Sequence, residues 1–121
     1  MREIKFRAQA LYGHGEWVFG HLSRKWDNWF ITDDDGTATL IDIDSAGQFT
    51  GLKDRNDQDI YENDLVTHEE DGETWGASQV VFENGMFCFN GDYPNYLALY
   101  EDLEVIGTIQ ETPHLLNGFK D

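Results

Sequence analysis

Histidines and carboxylates are the first candidates for chemistry, and they fall in three places. His68-Glu69-Glu70-Asp71 sets an imidazole beside three carboxylates, a run that could hold a hard cation and support metal-dependent hydrolysis. A solvated acidic loop has the same composition. His14 and His21 are separated by a segment that reads as a strand, Glu16–Phe19; an extended chain between them would span roughly 23 Å, so a shared ion is not expected. Asp33 and Asp35 precede Gly36 with part of a calcium-loop spacing, but the first position of that loop would be Ile31, where a liganding carboxylate is required.

Nucleophiles are scarce. Ser23, Ser45 and Ser78 lie in no G-x-S-x-G turn, and no glycine-rich phosphate loop is present. Cys88 sits inside the apolar run Met86-Phe87-Cys88-Phe89, where a buried, inert thiol is the ordinary case. No residue is therefore assigned a catalytic, cofactor-binding or metal-ligating role, and a non-enzymatic protein without a cofactor is expected. One further segment stands apart. Arg24-Lys25-Trp26-Asp27-Asn28-Trp29-Phe30 joins a basic pair to three aromatics. Exposed, it would suit stacking on a base, a sugar or a partner's arginine; buried, it is core plus a loop.

Charge narrows the partners. The chain has 24 acidic and 8 basic residues, a net charge of −16. Residues 1–50 carry −3 and residues 51–121 carry −13. Affinity for nucleic acid comes largely from neutralising phosphates, so direct DNA or RNA contact is not expected; an anionic membrane would repel the chain for the same reason. An acidic surface that keeps a small protein soluble is the simplest account. The sharper alternative is imitation of DNA to inhibit a nucleic-acid-binding protein. Sixteen charges match roughly 27 Å of duplex at one charge per ~1.7 Å, and a domain of this length should be about 35 Å across. The match requires most acids on one face.

A chain of 121 residues with 40% hydrophobic content predicts a single domain, 1–121, with two possible lobes at 1–49 and 50–121. No apolar run approaches bilayer length, Glu3, Lys5 and Arg7 interrupt the N-terminus, and Cys88 is the one cysteine. These features predict a cytoplasmic protein of the bacterial cell without membrane contact. Gly preceded by Asn or Asp at Asp35-Gly36, Asp71-Gly72, Asn84-Gly85, Asn90-Gly91 and Asn117-Gly118 punctuates short apolar runs, the strongest local hairpin signal. Strands are expected at Ile4–Ala8, Glu16–Phe19, Asn28–Thr32, Ala38–Ile43, Gln48–Leu52, Asp64–His68, Trp75–Phe82, Met86–Phe89 and Leu103–Ile109. Tyr96–Asp102 reads as a helical turn or a strand. Thr112-Pro113 followed by Asn117-Gly118 predicts a short C-terminal helix. The fold class is mainly β with minor α: small antiparallel sheets, with an SH3-like, partly open barrel in the second half. A homo-oligomer could form through an edge such as Ile4–Ala8 or Leu103–Ile109.

Residues 50–66, TGLKDRNDQDIYENDLV, place two tight turns around Ile60-Tyr61 and start a strand at Leu65. Together with MREIKFRA at the start and LEVIGTIQETPHLL at 103–116, they resemble the YopX family of phage and prophage proteins. Relatives tend to read KDKNGKEIYEGDIV. Asp57 and Asn63 stand here where those relatives have glycine, and both residue types tolerate the left-handed backbone. Every distinctive residue of the stretch has a turn or core role; nothing singles out Asp59, Glu62 or Asp64 for function. The resemblance implies a phage or prophage setting and no particular activity. The expected role is a protein-interaction module whose partner is a host or phage protein.

Overall fold

Apolar residues at alternate positions, broken every few residues by Gly, Asn or Asp, favour short antiparallel strands joined by tight turns. The computed structural model of the chain is built in that way. It describes residues 4–67, 69–70, 73–74, 77–83, 85–89, 95–96 and 103–118, with 69–70, 73–74, 89, 95–96 and 117–118 described through their backbone alone. The strands are β1 (Phe6–Ala10), β2 (Trp17–Lys25), β3 (Asn28–Thr32), β4 (Ala38–Lys53), β5 (Asp59–Tyr61), β6 (Asp64–Thr67), β7 (Glu69–Glu70), β8 (Glu73–Thr74), β9 (Ser78–Glu83), β10 (Met86–Phe89), β11 (Asn95–Tyr96) and β12 (Glu104–Thr108). The protein is mainly β, in small antiparallel sheets. It divides into two compact units, Met1–Gly51 and Leu52–Asp121.

In the first unit, β1 to β4 pair in sequence and β4 returns to pair with β1, closing a ring. Ala8 opposite Val18 and Leu22 opposite Ile31 point to one face. That face forms a core of Ala8, Ile31 and Ile41, against which Phe6, Val18, Leu22, Trp29 and Ala46 pack. Strand β2 runs past the expected Phe19 to Lys25, because β3 supplies partners down to the pair Lys25–Asn28. Gly20 allows the closest approach: a Cβ there would run into the Thr32 carbonyl oxygen. The expected strands Ala38–Ile43 and Gln48–Leu52 are one strand of 16 residues. What reads as a break is a bulge. The β1 partners jump from Gly47 opposite Arg7 to Asp42 opposite Gln9. The Ser45 hydroxyl fills the gap, accepting from Gln9 N–H at 2.7 Å and donating to the Asp42 carbonyl at 2.6 Å. The extra residues also undo simple alternation: Ile41 is buried, whereas Ile43 faces solvent beside Asp44. Strand β1 has a partner on each side, so the expected free edge at Ile4–Ala8 is closed.

In the second unit the row is β11-β10-β9-β6-β12, with β7 and β8 as a separate pair. The core is Ile60, Val66, Val80, Phe87 and Leu103, with Leu52 and Val105 packed against it. The β9–β10 hairpin sets Met86 opposite Glu83. No pairing among the described residues joins β11 to β12, so the SH3-like barrel expected here is not supported. The C-terminal helix is not supported either; the segment holds a single helical turn, Leu115–Gly118. The Thr112 hydroxyl expected to cap it instead turns back onto Thr108, accepting from its N–H and donating to its carbonyl, both at 3.1 Å. The bonds leading into that turn are of the i to i+3 type, from Leu115 N–H to the Thr112 carbonyl and from Leu116 N–H to the Pro113 carbonyl. Of the possible turn or strand at Tyr96–Asp102, Tyr96 lies in β11 and 97–102 fall outside the described residues.

Candidate functional site

The basic and aromatic segment Arg24–Phe30 folds into the β2–β3 hairpin. Lys25 pairs with Asn28, so the loop is the dipeptide Trp26-Asp27. Trp26 has φ 56°, a positive value at the first loop position, where two-residue hairpins usually place glycine. For a bulky side chain this conformation costs about 1–2 kcal/mol. Its indole is also 82% exposed, so burial does not offset that cost within the unit. Neighbours hold the loop in shape. Arg24 Nε donates to the Trp26 carbonyl at 2.6 Å, the Arg24 guanidinium lies 5.6 Å from the Trp29 ring centre, and Lys25 Nζ lies 5.6 Å from the Trp26 ring centre. The Arg24–Asp27 ion pair, at 3.8 Å, is exposed and adds little. Trp29 packs on the first unit's core. The two tryptophans therefore divide the readings left open by the sequence: Trp29 is core and Trp26 is surface.

The stretch 50–66 has a different character. Asp54 ends the long strand and is 6% exposed. Its Oδ1 accepts from the N–H groups of Asn56 at 2.8 Å and Gln58 at 2.9 Å, which shapes the turn. Its Oδ2 accepts from Val105 N–H at 2.9 Å, which pins β12. Arg55 extends the clamp, its N–H donating to the Leu103 carbonyl at 2.8 Å and its guanidinium meeting Glu104 at 3.0 Å. The outer side of β12 is thus occupied by a turn. Asp57 and Asn63 have φ 67° and 77°, the left-handed values their types tolerate. Asn63 donates from its N–H to the Val80 carbonyl and accepts from Ile109 N–H. Asp64 is fully buried and accepts from Tyr61 N–H at 2.7 Å. These residues build turns and join strands. The family model described as YopX protein matches residues 5–117.

The chain belongs to the YopX family. The crystal structure of protein EF1440 from Enterococcus faecalis is similar to this YopX-family chain, at 23% identity and a TM-score of 0.59, over 96% of this chain and 99% of that one. At that identity the likeness shows a shared fold. Comparison with the curated proteins gives no match.

The remaining residues considered for chemistry in this YopX-family protein are placed as follows. His21 lies within β2 opposite Thr32, while His14 sits in the loop before β2, its N–H donating to Glu16 at 3.2 Å. Asp33 accepts from Asp35 N–H at 3.0 Å and Thr37 N–H at 2.9 Å, a side chain closing its own turn. Asp59 pairs with Lys53 at 2.8 Å. His68 and Asp71 fall outside the described residues, and Glu69 and Glu70 are described as β7 backbone. Among the described residues, no three of His, Cys, Asp and Glu gather in a way that could hold a metal ion. Cys88 is free and buried; burial pushes its thiol pKa up, the nearby Glu83 charge adds to that rise, and a hydrogen bond from the Glu83 backbone partly opposes it. No helix of the described residues is long and apolar enough to cross a membrane. Asp54 is the residue missed from sequence. The available signal was an Asp opening the turn Asp54-Arg55-Asn56-Asp57, whose side chain would be expected to bond to the backbone two residues on.

Proposed function

We propose that this YopX-family chain is a non-enzymatic protein-interaction module, of phage or prophage setting, that engages another protein through the β2–β3 hairpin tip. The observation that carries this reading is Trp26: a large apolar side chain held 82% exposed on a left-handed residue. Strained backbone retained at an exposed position is a signature of function rather than of folding. Trp and Arg are the residues most enriched among those that dominate binding energy, and Arg24 and Lys25 flank the indole.

The test is a comparison of the wild type with Trp26→Gly, both immobilised and exposed to bacterial lysate. Glycine suits the loop backbone, so the variant should fold with stability equal to the wild type or up to about 1 kcal/mol higher. It should lose a stoichiometric partner that the wild type retains. Equal recovery by both forms, or no lysate partner for either together with a wild-type chain that stays monomeric, counts against the reading.

A further inference from the structure

We propose that the occupant of the hairpin tip is a second copy of this chain, received at the opposite end of that copy's first unit. This rests on reading the tip as a contact and goes further by naming what it contacts. The two ends of the unit differ in charge. One carries Arg24 and Lys25 beside Trp26, offset in part by Asp27, which pairs with Arg24 at 3.8 Å. The other is made by the β1–β2 loop and the β3–β4 turn: Leu11 N–H donates to the Leu40 carbonyl at 3.0 Å, which joins the start of the loop to β4 just beyond the turn, and the turn itself is closed by Asp33 N–H donating to the Thr37 carbonyl at 3.0 Å. This end exposes Asp34 and Asp35, with Leu11 48% and Tyr12 75% exposed. Because Asp33 is spent on its own turn, the carboxylates left for a partner are those of Asp34 and Asp35.

Strand β3, five residues long, separates the tip from the β3–β4 turn by roughly 15 Å, and both lie on one paired ladder, so a tip cannot fold back onto the acidic end of its own molecule. Between two molecules the cations would meet carboxylates while the indole meets Tyr12 and Leu11. Both halves of the contact exist on one chain, and backbone pairing through β1 is closed because both its sides are taken. Such a contact is head-to-tail and leaves a free tip and a free acidic end, so it propagates. The net charge of −16 opposes it at long range. That repulsion is screened beyond about 8 Å at physiological salt, where charges in direct contact still attract. Association should therefore be strongest at intermediate salt, and weaker both at very low and at molar salt.

Sedimentation equilibrium of the full chain tests this. The wild-type mass should rise with concentration at physiological salt, with Kd on the order of 0.1 mM. Two damaged forms make the decisive experiment: Lys25→Gln/Trp26→Ala at the tip, and Asp34→Asn/Asp35→Asn at the acidic end. Each alone should associate at least about tenfold more weakly. Mixed, they should form 1:1 dimers through their surviving halves and stop there. A wild type still monomeric at about 1 mM, a damaged form that associates normally, or a mixture that fails to dimerise overturns the proposal. If the wild type stays monomeric while capture of a foreign protein still depends on Trp26, the tip remains a contact and only self-association is wrong.

Discussion

Replacing Asp54 by alanine should destabilise the second unit more than any other single surface-proximal change. The carboxylate accepts three N–H groups, at 2.8, 2.9 and 2.9 Å, and hydrogen bonds to a charged group contribute about 1.5–3 kcal/mol each. Two of the donors, Asn56 and Gln58, belong to exposed turn residues, where water takes over part of the loss. The third, Val105 N–H, belongs to a half-buried residue packed against the core, and its loss is nearer the full cost. The net expectation is a loss of about 3–5 kcal/mol, out of a total of about 6–18 kcal/mol for a chain of this length. Urea unfolding followed by circular dichroism reads the loss, and amide exchange at Val105 reads its location. Asp54→Asn keeps one acceptor oxygen and should fall between the two. A loss under about 1 kcal/mol, or unchanged Val105 exchange, would refute the assignment of Asp54 as the tie between the turn and β12.

Asp57→Gly should stabilise the protein by about 0.5–1 kcal/mol by relieving a left-handed aspartate, whereas Asn63→Gly should gain less, because the Asn63 side chain also accepts from Gln79 Nε2 at 3.1 Å; thermal melts separate the two. Gly20→Ala should cost about 2–4 kcal/mol, since its Cβ would press on the Thr32 carbonyl, and the loss should appear in the first unit's amide exchange. Cys88 should resist iodoacetamide at pH 8 in the folded protein and react once urea unfolds it, because burial raises its pKa. For the same reason its effect on stability is constant below the unfolded value, about 8.5, and unfolding becomes easier as pH rises from there toward the folded value.

The strand positions were legible where alternation is clean, as at Phe6 and Ala8 or Asn28–Thr32, because a period of two leaves one face apolar. The left-handed positions Asp57 and Asn63 were legible from residue type at a turn. Other features depend on partners distant in sequence. Leu22 extends β2 because Ile31 lies opposite it, and Ser45 looks like a loop residue until Gln9 is placed beside it. Thr112 has every local mark of a helix cap, yet Thr108 claims its hydroxyl. The site shows the same division. The sequence marked Arg24–Phe30 as unusual, but which indole faces water follows from hairpin register: Trp29 sits opposite Arg24 within the ladder, and Trp26 falls in the loop.

The closed ring of β1 to β4 bears on how the molecule tolerates crowding. An open ribbon offers a ladder of unsatisfied amides onto which any stray extended peptide can zip. Joining the fourth strand to the first removes that template along β1, so adhesion there must be written in side chains and can be tuned or abolished by a single codon.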